Sequence, residues 1–382
     1  MISGATIPYM RNVWLIACSF FFIFFGFGTA QLYLVVLFND QGRGQLALLS
    51  LLLVYGAFLV ASIFISKLVP LLGGLKRSLI VGASTYVLFV ASVALATTSL
   101  LLIASVVVGI GAGLLWVSST QITADSSTAR NAGRNFGLQT ATQNIGNIAG
   151  ILTGGYLVHT LPISSMYLIL SAVALAGLVL LSWVRPPREE LEHRSFKTFF
   201  AFDKRMLALF PVLFGFSFLA GQAFTAMNVI IVALLGLGAI PLVIGIFRVS
   251  NIAGSLSIGT ISDWFSRSLV IAFLIIVGLI GIVLFTTTRA LAPLLIGVIC
   301  IGVSLSALPP VCLAWMKERL HNEEYLHAFG IFYVYSNIGV VAAVISNLYL
   351  SPRASFIPVI VAFLLALPGI LLFQSFTQKD RR

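Results

Sequence analysis

Long stretches without charge constrain this chain more than any other feature. Residues 78–124 form a run of 47 residues, and residues 135–184 a run of 50, without Asp, Glu, Lys or Arg. Only 9% of the residues are charged and 59% are apolar, whereas a soluble domain carries about 25% charged residues. A chain with so little charge cannot cover a surface that faces water. The sequence therefore predicts an integral membrane protein.

The spacing of the charges predicts the number of membrane-spanning helices. A spanning helix needs about 20 apolar residues, so the longest runs must each hold two helices. Turn-like breaks at residues 96–99, 159–165 and 236–241 divide these double runs. The twelve predicted spans lie in residues 12–39, 44–66, 78–124 (two), 135–184 (two), 206–262 (two), 268–288, 290–316, 328–352 and 354–378.

The basic residues predict the orientation, because Lys and Arg are retained on the cytoplasmic side. With the N-terminus inside, 18 basic residues are cytoplasmic and three, Arg43, Arg289 and Arg353, are outside. We therefore expect both termini in the cytoplasm, and the plasma membrane as the location. Residues 185–205 form the longest polar stretch. We predict that they are a cytoplasmic linker between a six-helix bundle at 1–184 and a second one at 206–382.

The two halves repeat each other. A shift of 193 residues places Phe136-Gly137 on Phe329-Gly330, and Asn144-Ile145-Gly146 on Asn337-Ile338-Gly339. With six helices in each copy, both halves have the same orientation. This is a parallel repeat about an axis along the membrane normal, an arrangement typical of major facilitator transporters.

One cytoplasmic loop supports that resemblance to the major facilitator superfamily. Gly259, Asp263 and Arg267 resemble the superfamily's loop pattern of Gly, three residues, Asp and a following basic residue. The resemblance implies that Asp263 pairs with a helix end and with an Arg, and so latches one conformation. The equivalent loop of the first half keeps Lys76-Arg77 but has no Asp.

Glycines at intervals of four residues mark the fifth predicted helix. Gly146, Gly150 and Gly154 form a flat face on which another helix can pack closely. Their spacing resembles the superfamily's antiporter motif, except that Ile151 stands where that motif has Pro. A drug-type antiporter is therefore one alternative for the function.

Residues 100–160 are similar to the uncoordinated-ninety-three-like branch of the superfamily. The similarity lies in Gly109-Ile-Gly-Ala-Gly-Leu-Leu-Trp116, in Gly133-Arg134-Asn135-Phe136-Gly137 and in Gly146-Asn147. That branch includes presumed transporters as well as ion-channel regulators and receptor-trafficking partners. The resemblance therefore implies either a transporter or, as a second alternative, a non-transporting regulator of a channel or receptor.

The acidic residues bear on coupling and on catalysis. All eleven lie in loops or at helix ends, so no helix centre carries a carboxylate. We therefore predict transport without carboxylate-based proton coupling. No nucleotide loop, metal-ligand spacing or catalytic acid pair is present, and the three cysteines are not spaced as metal ligands. We expect no enzyme activity, no cofactor and no metal.

Arg248 is the only charge inside a predicted helix. Such a charge costs about 2.5–3.5 kcal/mol on insertion scales, so it must face protein or water. Asn251 lies on the same helical face. One interpretation is a cavity-lining guanidinium that holds an anionic or carbonyl-bearing solute. The other is a structural Arg, satisfied by helix-end carbonyls or reaching toward the interface.

Amide side chains within the predicted spans complete the candidate site. Single amides can simply bind helices together, at roughly 0.6 kcal/mol per hydrogen bond. Their distribution over several helices favours one shared central cavity. We therefore predict a monomeric secondary transporter in a lipid bilayer that moves a small solute and binds no nucleic acid. The predicted amide ligands beside Arg248 are Gln31, Gln139, Gln143, Asn147, Gln222, Asn251 and Asn337.

Overall fold

The computed structural model describes residues 7–40, 44–95, 97–185, 204–236 and 239–379. These residues form 14 α-helices and no β-strand, which confirms the predicted all-α membrane fold. Most of the predicted linker, residues 186–203, lies outside the described residues. The helices are α1 (Ile7–Asp40), α2 (Gly44–Ile63), α3 (Ile65–Leu71), α4 (Leu75–Ala94), α5 (Thr98–Asp125), α6 (Ala132–Thr160), α7 (Ile163–Ser182), α8 (Lys204–Phe224), α9 (Ala226–Leu235), α10 (Ile240–Ile261), α11 (Arg267–Thr287), α12 (Leu291–Arg319), α13 (Tyr325–Tyr349) and α14 (Ile357–Lys379).

The helices lie at the positions of the predicted spans. Within the described ranges, ten helices are long and apolar enough to cross a membrane, and there are eleven such spans if α2 and α3, which meet at a bend of 79°, form one span. The remaining predicted span corresponds to α6, whose 29 residues extend about 43 Å at 1.5 Å per residue. It is less apolar than the others because it carries several Gln, Asn and Thr residues.

The structure adds two helix breaks that the sequence does not predict. The seventh span is divided at Thr225, whose φ of −119° and ψ of −88° lie outside the helical region. This break separates the 21 residues of α8 from the 10 residues of α9. The second span bends at Phe64, between α2 and α3. Neither residue is Gly or Pro.

The chain forms two compact units. The first comprises Met1–Thr128 and Gln139–Arg194, and the second comprises Ala129–Leu138 and Ser195–Arg382. The first two turns of α6 therefore pack with the second unit, although the rest of α6 belongs to the first. The glycines of that segment, Gly133 and Gly137, allow it to pack closely on the backbone of α10.

An aromatic cluster fills the first unit between α1, α4 and α5. Phe20 and Phe24 pack against Trp116, with ring centroids 5.0 and 5.5 Å apart. Phe27 contacts Tyr86 at 4.6 Å, and the indole N–H of Trp116 donates to the Tyr86 hydroxyl at 3.2 Å. The Phe-rich part of α1 is therefore packed into the unit on this side.

Glycines allow equivalent helices to touch in both units. A Cβ added to Gly146 would lie 2.2 Å from the carbonyl oxygen of Phe21, and one added to Gly339 would lie 2.5 Å from that of Phe214. Gly339 lies 193 residues after Gly146, and Phe214 lies 193 residues after Phe21. The sequence repeat is therefore also a repeat of backbone contacts inside each unit.

A second pair of contacts shows that α2 and α10 are equivalent helices of the two units. A Cβ on Gly109 would lie 2.4 Å from the carbonyl oxygen of Val54, and a Cβ on Gly302 would lie 2.9 Å from that of Phe247. The offset is again 193 residues. Arg248, which follows Phe247, thus has Tyr55 as its counterpart in the first unit.

We expect Gly146→Ala to lower the free energy of unfolding by about 1–3 kcal/mol, because the new methyl group would overlap the α1 backbone. Gly56→Ala is the matched control, since a Cβ there would meet no atom within 4 Å. Both substitutions improve helix propensity equally. Thermal unfolding in detergent measures the difference. Equal melting temperatures for the two variants would contradict the close packing of α6 on α1.

Candidate functional site

Arg248 lies in the membrane-spanning part of α10, in the range Leu242–Ile261. Its side chain is half-buried, and its guanidinium carbon is 5.7 Å from the ring centroid of Phe247. The position within the span agrees with the sequence prediction. Part of the side chain remains accessible.

The helical face of Arg248 continues toward the far end of α10, where it packs against the start of α6. A Cβ on Gly137 would lie 2.2 Å from the carbonyl oxygen of Ser255, and a Cβ on Gly133 would lie 2.3 Å from that of Gly259. This part of the face is therefore a helix contact. Only the part near Arg248 remains available for a ligand.

Asn251 lies one turn from Arg248 and is buried, with 3% of its surface exposed. Its Oδ1 atom has no hydrogen-bond partner among the described residues. The same atom lies 3.3 Å from the place where Gly302 would carry a Cβ. Asn251 is thus held between α10 and α12 with one acceptor unused.

Gln222 has no exposed surface and is fully hydrogen-bonded. Its amide nitrogen donates to the Ser346 hydroxyl at 3.0 Å and to the Ser355 carbonyl at 3.1 Å. Its oxygen accepts from the Asn347 amide and the Ser355 hydroxyl, each at 3.1 Å. Asn347 also donates to Thr225 at the helix break, at 2.9 Å. The role of Asn347 is not visible in the sequence, because an amide within a span does not reveal which helix it meets.

Two further predicted ligands have partners within the protein. The Gln139 amide nitrogen donates to the Ser119 hydroxyl, and its oxygen accepts from Thr123, both at 3.2 Å. The Asn337 amide donates to the carbonyl of Tyr333, one turn earlier, at 2.7 Å. Both side chains are buried.

The remaining amides of the first unit are more accessible. Gln143 and Asn147 are half-buried, and no hydrogen bond to another described residue engages either amide. The Asn147 oxygen occupies the space that a side chain at Gly28 would fill. Gln31 is half-buried, and its amide nitrogen has no hydrogen-bond partner among the described residues.

Asp263 caps the N-terminus of α6. Its carboxylate accepts the backbone N–H of Gly133 at 2.8 Å and that of Arg134 at 2.9 Å. It also accepts from the Arg267 guanidinium at 3.0 Å, with both side chains 3% exposed. A carboxylate is favourable here because the first N–H groups of a helix lack internal partners and carry a partial positive charge.

Arg267 extends this network to α12. Its guanidinium donates to the carbonyl oxygens of Ala129 and Ala314, and it lies 3.3 Å from the carboxylate of Glu318. The buried cation therefore has carbonyl and carboxylate partners on several sides. All these groups belong to the second unit.

The equivalent loop of the first unit is built differently. Arg77 is exposed and Lys76 is half-exposed, and neither forms an ion pair with the described residues. The Arg77 guanidinium lies over Gly73, whose φ of +82° favours glycine. The two loops thus share basic residues but not a carboxylate network.

Glu324 provides a second charged contact in the second unit, at the start of α13. Its carboxylate pairs with Arg205 at 2.7 Å and accepts the backbone N–H of His321 at 3.0 Å. Burial alone would raise the pKa of Glu324, but these hydrogen bonds and the charge of Arg205 lower it below its usual value. The pair therefore stabilises the fold above the ordinary Glu pKa, and the contribution is lost as the pH falls through the lowered pKa.

We predict that Asp263→Asn lowers the free energy of unfolding by about 1.5–3 kcal/mol, because charge-assisted hydrogen bonds to α6 and Arg267 are lost. Membrane insertion should remain normal, since no apolar segment changes. Glu318→Gln is the control, because its half-exposed carboxylate is worth less than about 1 kcal/mol. Thermal unfolding measures both. Equal losses for the two variants would show that Asp263 has no special role.

The comparisons with known proteins agree with this architecture. The sequence model of the Major Facilitator Superfamily matches residues 13–344. Among curated proteins, the chain is 30% identical over 148 residues to UNC93-like protein 3 of Arabidopsis thaliana, which is 39% of this chain and 29% of that protein. It is 31% identical over 127 residues to the human protein unc-93 homolog A, which is 33% of this chain and 27% of that protein. The chain thus spans less than a third of the length of these relatives.

Solved transporters share the fold over almost the whole chain. The E. coli fucose:proton symporter FucP superposes with a TM-score of 0.75 at 16% identity, covering 96% of this chain and 99% of that one. The human organic anion transporter MFSD10 superposes with a TM-score of 0.75 at 13% identity, covering 96% of this chain and 99% of that one. The proton:xylose symporter XylE superposes with a TM-score of 0.76 at 13% identity, covering 97% of this chain and 96% of that one. With its sequence matched over residues 13–344, this multi-pass membrane protein belongs to the Major Facilitator Superfamily.

Proposed function

We propose that the protein is a secondary transporter that moves a small solute by alternating access, and that Arg248 binds the solute. The observation that carries the proposal is an Arg side chain, half-buried as a whole, within a membrane-spanning helix of a transporter fold. Ionisable residues at this depth are rare and mark substrate pathways in membrane proteins.

The chemistry of Arg248 favours a solute with negative charge or strong acceptor groups. A guanidinium presents a planar fork of N–H donors that matches a carboxylate or a phosphate. A counter-charge offsets the free energy that its burial costs. One structural neighbour is an organic anion transporter, but at 13% identity that likeness concerns the fold. The proposed anionic solute rests on Arg248.

The hydrogen bonds of the amides narrow the proposed set of ligands. Gln143 and Asn147 have amides that no described side chain engages, and Gln31 is half-buried beside Tyr55. We assign a solute contact to Arg248 in the second unit, and we retain Gln31, Gln143 and Asn147 as candidate solute contacts of the first unit taken by itself. Gln139, Gln222 and Asn337 are engaged within the protein, and Asn251 is buried between helices, so we assign these four to helix packing.

We further propose that transport is not driven through a carboxylate in the membrane. The described acidic residues lie at helix ends or between helices, as Asp125, Asp263 and Glu318 illustrate. Two structural neighbours are proton symporters, but at 13–16% identity that likeness concerns the fold alone. The basic residues of the loops support cytoplasmic termini, and we retain a monomer in the plasma membrane as part of the proposal.

Arg248→Lys and Arg248→Gln should each weaken solute binding by tenfold or more, about 1.4 kcal/mol, because both lose the guanidinium fork. The measurement is a thermal-shift titration of the purified protein with short carboxylates, inorganic phosphate, nucleobases and amino acids. A ligand of the folded state raises its melting temperature by mass action. Arg289→Gln, which removes an exposed Arg between α11 and α12, is the control.

Two results would contradict this role. Binding that survives in both Arg248 variants would remove Arg248 from the solute site. A wild-type protein that is stabilised by no compound and takes up none of them would instead fit the alternative of a membrane regulator.

Uptake of the identified solute into proteoliposomes should not respond to an imposed pH gradient. The physical reason is that no carboxylate lies at the centre of a span. The comparison is between vesicles with and without an inward proton gradient, each with an uncoupler as control. A several-fold increase that the uncoupler abolishes would overturn this prediction.

A further inference from the structure

A groove lies on the second unit between α9 and the segment that joins α13 to α14. Its volume is about 280 Å³, and it is lined by Val229, Ile230, Ala233, Leu234, Ser351, Pro352 and Arg353. One wall is the apolar α9, and Ser351 and Arg353 form the polar edge. The groove is therefore apolar on the α9 side and polar on the side of the segment that joins α13 to α14.

The charge of Arg353 is available at this edge. Its side chain is exposed, and within the described ranges no carboxylate forms an ion pair with it. Helices of the second unit alternate in direction, so the start of α14 lies at the opposite end of the unit from Asp263, Glu318 and Glu324. A ligand with a negative group would meet no repulsion here.

The position of the groove relates it to the membrane. Val229 belongs to the apolar α9 and is 54% exposed. Tyr349, at the end of α13, is 81% exposed, and exposed Tyr at the ends of spanning helices is typical of the membrane–water interface. The polar edge thus lies at the ends of the spanning helices α13 and α14, and the apolar wall belongs to the short apolar helix α9.

We propose that this groove holds one phospholipid of the leaflet at which the α13–α14 segment lies. The lipid phosphate pairs with the Arg353 guanidinium beside the Ser351 hydroxyl, and one acyl chain lies along α9 over Val229 and Ala233. Guanidinium and phosphate match in charge and in geometry. An apolar chain on α9 covers surface that is otherwise exposed. A soluble anion would use only the Arg, and a neutral lipid would use only the apolar wall.

Native mass spectrometry of the full-length protein in detergent, with added phosphatidylglycerol, tests the proposal. We expect the wild-type protein to retain one more lipid than the Arg353→Gln variant. That substitution should reduce the apparent affinity for the lipid about tenfold. Val229→Trp should fill the groove and give the same loss. The matched controls are Arg289→Gln for the charge and Val283→Trp for the apolar surface, since Val283 is 49% exposed.

Two further probes separate the sources of binding. Diacylglycerol lacks the phosphate and should bind at least tenfold more weakly, and inorganic phosphate alone should not compete with the lipid. The proposal is overturned if Arg353→Gln and Arg289→Gln retain the same lipid, if Val229→Trp behaves like Val283→Trp, or if inorganic phosphate displaces the lipid. Melting temperatures close to that of wild type verify that each variant is folded.

Discussion

Direct contact between helix backbones at glycines is the constraint on which the rest of each unit depends. In lipid, apolar side chains gain little by leaving their surroundings, so helices associate through close packing. Gly146 brings α6 onto α1, and Gly133 brings the start of α6 onto α10. The second contact also sets the geometry of the Asp263 cap. A side chain at Gly133 would move the α6 N–H groups away from Asp263, and the helix cap would be lost.

The number of spans and the repeat could be predicted because they follow from composition and register. An uncharged run of 47 residues must hold two helices, whatever their packing. The breaks at Phe64 and Thr225 could not be predicted in this way, since neither residue is Gly or Pro. The Thr225 break lies beside Gln222 and Asn347, whose hydrogen bonds join helices that are distant in the sequence. Contacts between distant helices therefore accompany that break, and the local sequence does not mark it.

The sequence was informative about charged residues and less so about amides. The contact between Asp263 and Arg267 was implied by the resemblance of this loop to the superfamily's loop pattern. An amide such as Gln222 or Gln143 gives no such information, because its role depends on the helix that it faces. The structure engages Gln222 completely and leaves Gln143 accessible. Only the partners separate a residue that joins helices from one that can bind a solute.

The two units keep the same contacts but carry different chemistry. Val54 and Phe247 meet equivalent glycines, while the residues that follow them are Tyr55 and Arg248. Packing holds the repeat to its backbone contacts, whereas side chains outside those contacts can differ between the two units. Two charged residues of the second unit are linked to α10, since Arg248 lies within the helix and Asp263 lies just beyond its end. Because α10 is one continuous hydrogen-bonded helix, a shift at Asp263 that moves this helix must also move Arg248.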